Sequence, residues 1–435
     1  MRSKSSTPDA GQASTDRAGL QDLLARFSAC GATPGGGVTR LCASSADGAA
    51  RDLFGQEVRA AGGTLRIDAV GNQFGLFALA EGEGAPLVMM GSHLDSQVLA
   101  GRLDGTYGVA VALRVGDGLM RARRAGKRFA ADFCAVNWTN EEGARFRPSL
   151  LGSATYLGGH EAADALGVRD DDGMSLGDAL AAIGYRGSDP APPRPACYLE
   201  AHVEQGTVLE EAGRPIGVVG RNWGATKIEA VFTGAQAHTG PGRMERRRDA
   251  LLAAAYAIAE IRAMAEGWPG LLHTSVGRIQ VAPNSANVVA GRVEISVELR
   301  SNEDAILAEA GTRADALLRA AADRAGTDLT IAGRSERPSR ALPEAVCRLL
   351  ADSAASTGHE ALRMDTVAGH DALSFLGICP TGLVFVPSIA GITHNEAEAT
   401  APDDLAAGLA VMRDAAERLC RCGGDPAAAC GEASP

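Results

Sequence analysis

Alternation of apolar and polar positions is clearest from Arg292 to Arg300. Val293, Ile295, Val297 and Leu299 fall on one face, and Arg292, Glu294, Ser296, Glu298 and Arg300 on the other. A period of two over this length predicts a half-buried strand in an antiparallel sheet with one wet face. The flanking pattern predicts strands over Lys227 to Thr233, Leu271 to Val281 and Asp328 to Ala332, and helices over Arg247 to Ala265 and Glu303 to Ala325. Their order, β-α-β-β-α-β, is that of a ferredoxin-like α+β unit.

On either side of this stretch the texture changes. Residues 17 to 30 and 47 to 61 carry Leu, Phe and Val at helical spacing, each run closed by Gly. Extended apolar runs follow at Thr64 to Ala80 and Pro86 to Met90, then a helix from Thr106 to Arg124 and a strand from Ala130 to Trp138. This predicts α/β architecture, in which ligands gather at the carboxyl ends of strands. A Pro-rich linker, Ser188 to Pro195, interrupts the pattern. It resumes after the alternating stretch with a helix from Pro343 to Thr357, a run at Gly382 to Val386 and a helix from Pro402 to Cys420. The expected organisation is a discontinuous domain, residues 17–221 and 338–420, with residues 222–337 inserted. A disordered polar tail is expected over 1–16 and a flexible one over 421–435.

Composition narrows the function classes. At 435 residues the chain exceeds a comfortable single core. A net charge of −11 argues against a nucleic-acid partner, because phosphate neutralisation dominates that affinity. The one basic run, Arg243 to Arg248, contains Glu245 and ends at Asp249, as a solvated helix start would. No run approaches the roughly 20 apolar residues of a membrane span, and the first fifteen residues lack the apolar core of a signal peptide. Nine scattered cysteines fit a reducing compartment, so a cytoplasmic location is expected. Cys420, Cys422 and Cys430 match no standard zinc spacing.

The chemistry concentrates at strand ends. Gly91-Ser92-His93-Leu94-Asp95 follows an apolar run and is itself followed by Gly101-Arg102-Leu103-Asp104-Gly105. Imidazole and carboxylate suit borderline divalent metals. His93 is thus a candidate ligand, Asp95 a candidate to hold its ring, and Asp104 a candidate bridge between two ions. Asn140-Glu141-Glu142-Gly143 ends the next strand with adjacent carboxylates, whose repulsion asks for a cation or an acid/base role. Two more histidine segments follow, Glu200-Ala201-His202-Val203-Glu204-Gln205-Gly206 and Gly391-Ile392-Thr393-His394-Asn395-Glu396. Each motif alone is weakly specific, but four beside strand ends of one domain point to a metal centre.

Together, GSHLDS, GRLDGTYGV, WTNEEGARF, GSATYLG, HVEQGTVLE, AHTGP, RRDAL, NVVAG, AGHDA and GITHNEAE resemble the M20 metallopeptidase-type amidohydrolases. Within these, the similarity is to the N-carbamoyl-L-amino-acid hydrolase, β-ureidopropionase and allantoate amidohydrolase branch, over residues 17 to 418. The resemblance implies one divalent ion on His93, Asp104 and His202 and a second on Asp104, Glu142 and His394. Zinc is the expected metal, with manganese, cobalt or nickel as alternatives. It further implies Glu141 as general base, His238 as donor to the developing oxyanion, and Asn287 and Arg300 as a clamp on a substrate carboxylate. Gln205 is implied as a further substrate contact, and His370 lies near the site with no assigned role. A homodimer through the inserted lid/dimerisation domain is implied too. Gly242-Arg243 stands where the family has Thr-Pro, which implies a freer loop after His238. The expected substrate is a small N-carbamoyl or related N-acyl L-amino acid. An allantoate-type hydrolase, a dipeptidase or aminopeptidase, and a non-catalytic binding protein are the alternatives.

Overall fold

The computed structural model describes residues 10–431. The described chain forms two compact units, one of residues 10–220, 342–364 and 369–431, the other of Arg221–Ala341 and Asp365–Ala368.

The first unit is built on a mixed sheet. Its strands lie in the order Thr64–Ile67, Gln73–Phe77, Asp132–Trp138, Leu87–His93, Cys197–Val203, Thr381–Val386 and Ile216–Asn222. The four from Asp132–Trp138 to Thr381–Val386 are parallel to one another. Leu87–His93, Cys197–Val203 and Thr381–Val386 are buried along their whole length, which is why the first and last read as apolar runs rather than alternations, while Cys197–Val203 carries buried Glu200 and His202. Helices Thr106–Arg124 and Pro402–Arg421 pack against this sheet through apolar faces. The run Thr64 to Ala80 is two strands, because Asp68 accepts from Val70 N and Asn72 N and Gly71 takes φ 83°. That Asx-type turn reverses the chain.

Two buried arginines fasten loops that lead to the strand ends. The Arg40 guanidinium donates to Phe27 O and Cys30 O at 2.8 Å, to Thr106 Oγ1 at 2.6 Å and to Leu94 O. Arg51 donates to Asp47 Oδ2 at 2.8 Å, Gly71 O at 2.6 Å and Thr139 Oγ1 at 3.2 Å. Asp47 also accepts Ala43 N at 2.7 Å. Since Asp47 is fully buried, Asp47→Ala would strand the Arg51 charge. The expected cost is about 3–5 kcal/mol, read as a lower urea midpoint.

The expected tails change only where residues are described. Residues 1–9 and 432–435 lie outside the described residues, but Ala10–Ala29 is one helix. Buried Asp16 anchors it to Arg121 at 3.3 Å and to Arg413. At the other end Pro426–Gly431 is a short helix packed against Glu344–Ser356. Ala429 is buried there, and Cys430 Sγ lies 3.4 Å from Ala345 O. None of the nine cysteines is in a disulfide.

The second unit has elements in the order strand Gly224–Thr233, helix Ala250–Met264, strands His273–Ala282 and Arg292–Ser301, helix Asp304–Ala325 and strand Asp328–Arg337. Their sheet order is Asp328–Arg337, Gly224–Thr233, Arg292–Ser301, His273–Ala282, all antiparallel. Val293, Ile295, Val297 and Leu299 are buried against the two helices, as the alternation requires. The basic run does not begin the helix. Met244–Arg246 is a single 3-10 turn, and Asp249 caps the helix by accepting Leu251 N and Leu252 N. A two-stranded ribbon pairs Ala237–His238 with Val288–Val289.

Candidate metal centre and active site

Parallel strands deliver the site residues to one edge of the first unit. His93 ends its strand, His202 lies one residue before the end of the neighbouring strand, and Glu141 and Glu142 follow a third. Asn140 makes the turn there with φ 58°, a left-handed conformation that asparagine tolerates, and its Nδ2 donates to Phe146 O at 2.8 Å. His394 sits in the loop after Thr381–Val386, also left-handed at φ 51°. Asp104 lies just before helix Thr106–Arg124. Between them Gly105, at φ 62°, permits a close approach: a Cβ there would fall 2.4 Å from the His93 ring.

These side chains converge on Asp104. His202 Nε2 is 3.1 Å and His93 Nε2 3.5 Å from its Oδ1, while His394 Nε2 is 3.1 Å from its Oδ2. Glu142 Oε2 lies 3.5 Å from His394 Nε2, and Glu141 Oε2 lies 3.5 Å from His93 Nε2. Two sets of donor atoms result, His93, Asp104 and His202 in one and Asp104, Glu142 and His394 in the other. Each set lies within 4.8 Å.

The donor chemistry fits divalent cations. His93 Nδ1 is 2.9 Å from Asp95 O, and His202 Nδ1 is 2.9 Å from Val203 O. A carbonyl can only accept, so each Nδ1 carries a proton and Nε2 is the ring atom that faces Asp104 and could ligate a cation. Buried Glu142 Oε1 has no hydrogen-bond partner. The carboxylates repel one another as well. Burial pushes Glu141 well above the usual carboxylate range despite His93, with Asp371, Glu142 and Asp95 adding to the rise. Burial, then Asp104, raises Glu142 to about 7. Asp104 goes the other way: burial opposes its charge, but His202, His394 and His93 together hold it well below the ordinary range. Its hydrogen bond raises His394 to about 9. A buried cluster that must gather protons to relieve its own repulsion is one that divalent cations would neutralise.

Two expectations for the surrounding residues change. The Asp95 carboxylate does not hold the His93 ring, since Oδ1 is 3.7 Å from Nδ1 and the main-chain carbonyl takes that place. Its oxygens instead accept Glu141 N at 3.1 Å and Glu142 N at 3.2 Å. Gln205 directs its Nε2 to Asp104 Oδ2 at 2.8 Å, so one of its donors already faces the centre. His238 lies on the two-stranded ribbon of the second unit and Asn287 just before its second strand, where Thr239 N donates to Asn287 O at 3.2 Å. Arg300 lies on the intermediate, polar face of its strand, donating to Glu298 Oε1 at 2.8 Å and to Val367 O. The loop after His238 is fastened despite Gly242, because Arg247 donates to Thr239 O and to Gly242 O.

Several buried or half-buried groups escaped the motif reading. Gln97 Nε2 donates to Glu142 Oε2 at 3.0 Å. Glu200 accepts Ser92 Oγ and Ala372 N, each at 2.7 Å, and Glu398 accepts Leu103 N and Asp104 N. Glu200 carried a usable signal: it is two residues before His202 on one strand, hence on the same face. The His370 ring packs edge-on against His202 with centroids 4.6 Å apart.

Residues 89–418 match the family described as Peptidase family M20/M25/M40. The chain belongs to that family. Among solved structures, it is similar to an amidase of the hydantoinase/carbamoylase family from Burkholderia vietnamiensis. The two share 36% identity with a TM-score of 0.89, over 96% of this chain and 99% of that one. An N-carbamoyl-L-amino-acid amidohydrolase of Rhizobium meliloti is 32% identical, covering 90% of this chain and 94% of that protein. Allantoate amidohydrolase of Escherichia coli strain K12 is also 32% identical, covering 91% and 96%. The chain is an M20 amidohydrolase. None of its described helices is long and apolar enough to cross a membrane.

Proposed function

We propose that this amidohydrolase cleaves the ureido C–N bond of an N-carbamoyl L-amino acid. The observation that carries the reading is the meeting of two three-residue donor sets on Asp104, with a further buried carboxylate, Glu141, beside His93. His93, Asp104 and His202 would hold one divalent ion, and Asp104, Glu142 and His394 the other, zinc being the metal best suited to these donors. Bound there, the ions would lower the pKa of water and polarise the scissile carbonyl.

Glu141 takes the proton of the attacking water and returns it to the leaving amino-acid nitrogen. The C–N bond breaks, and the carbamate released decomposes to ammonia and carbon dioxide. A carboxylate held beside the attacking water can both take a proton and return it. Asp95 holds the Glu141 and Glu142 main chain and so aims both side chains. His238 donates to the oxygen that gains charge. Supporting this, Gly240 N donates to His238 Nδ1 at 3.0 Å, which leaves the proton on Nε2. Arg300 and Asn287 receive the substrate carboxylate, and Gln205 contacts the ureido end from its place on Asp104. A homodimer forms by the edge strand His273–Ala282, ten residues long with Ile279 exposed. A cytoplasmic location suits an enzyme with nine cysteines and no disulfide.

Metal-reconstituted protein screened against N-carbamoyl, N-formyl and N-acetyl amino acids, allantoate and dipeptides tests the reading. Stoichiometric amino acid and ammonia from the N-carbamoyl substrates is the expected result. Turnover of dipeptides alone would replace it with a peptidase, and turnover of allantoate alone with an allantoate hydrolase.

A further inference from the structure

The segment from His394 to Glu398 touches the centre at both ends. At its start, His394 Nε2 is 3.1 Å from Asp104 Oδ2. At its end, Glu398 is 3% exposed and its Oε1 accepts Leu103 N at 2.8 Å and Asp104 N at 3.1 Å. One turn therefore grips the side chain and the main chain of Asp104 together. The turn is self-bonded, with Ala397 N donating to Asn395 Oδ1 at 2.9 Å and Glu398 N to Asn395 O at 3.0 Å. Space for the Glu398 carboxyl group exists because residue 101 is glycine: a Cβ there would lie 2.1 Å from Glu398 Cδ. The turn is held from outside as well, by a hydrogen bond from Thr33 Oγ1 to Glu396. Gly35 gives Glu396 room, since a Cβ there would fall 2.4 Å from its Oε2.

We propose that Glu398 is a positioning residue of the metal centre, fixing the Asp104 main chain relative to His394 so that one carboxylate can serve both donor sets. The inference rests on the ligand sets proposed above. Side-chain length is what matters: the carboxyl oxygen must reach two amides across Gly101, and an amide oxygen of the same reach accepts from them equally well. Glu398→Gln keeps that reach, whereas Glu398→Asp keeps the charge and shortens the arm by one methylene.

The experiment is calorimetric titration of the metal-free full-length protein and both variants with Zn²⁺, with thermal unfolding of the metal-free forms alongside. Glu398→Asp is expected to weaken zinc binding by roughly 10–100-fold, the usual effect of losing a group that orients a ligand. Glu398→Gln is expected to bind as the wild type does. Two results would overturn the assignment: an Asp variant that titrates like the wild type while losing only thermal stability, or a Gln variant as weakened as the Asp variant. Wild-type protein that takes up no zinc would instead sink the ligand sets themselves, so the two failures are distinguishable.

Discussion

Glu141→Gln is expected to keep close to two bound metal ions per chain while losing turnover by about 10²–10⁴-fold, the range a positioned acid/base group supplies. Glu141 is outside both donor sets, although its Oε2 is 3.5 Å from His93 Nε2. The amide has the same shape, and Asp95 still anchors the main-chain amide of residue 141. What disappears is the ability to take and return a proton. Metal analysis of the dialysed variant, paired with kcat for an N-carbamoyl amino acid, separates the two functions. Full activity would remove Glu141 from the chemistry, and loss of both ions would make it a structural member of the centre.

The legibility of such a site follows from how each residue acts. His93, His202 and Glu142 stand at or just past the ends of parallel strands, where largely apolar stretches give way to polar residues. That transition is visible along the chain, and a motif placed on it inherits a position in the fold. The core helix Thr106–Arg124 was legible to the residue because its apolar face is wide and a glycine precedes it. By contrast, Asp95 works on main-chain amides 46 and 47 residues away, and Glu398 on amides 295 and 294 residues away. Backbone amides carry no side-chain identity, so no pattern marks the acceptor that serves them.

The misplaced ends have a similar cause. The first turns of helix Ala10–Ala29 are Ala, Gly, Gln, Ser and Thr, too polar to show an apolar stripe before Leu20. Strand Asp328–Arg337 runs past Ala332 because an edge strand bonds on one side only, which leaves its composition weakly constrained. Short helix Pro426–Gly431 is stabilised by the surface it meets rather than by its own periodicity.

Asp104→Ala should have the broader effect, abolishing binding of both ions and with it all metal-dependent turnover. Each Asp104 oxygen faces a different donor set: Oδ1 meets His93 and His202, and Oδ2 meets His394. Removing the carboxylate leaves two histidines at one position and a glutamate with a histidine at the other, both below the three protein ligands typical of a catalytic site. The loss should therefore exceed the roughly 10–100-fold that follows removal of a group acting only through a ligand. Asp104→Asn refines the test. Its amide can present an oxygen to one donor set while its NH₂, which cannot ligate, faces the other, so one ion should survive and turnover should not. Metal stoichiometry near zero for Ala and near one for Asn is the expected pair of results. Two tightly bound ions in Asp104→Ala would mean that the donor sets do not share this carboxylate.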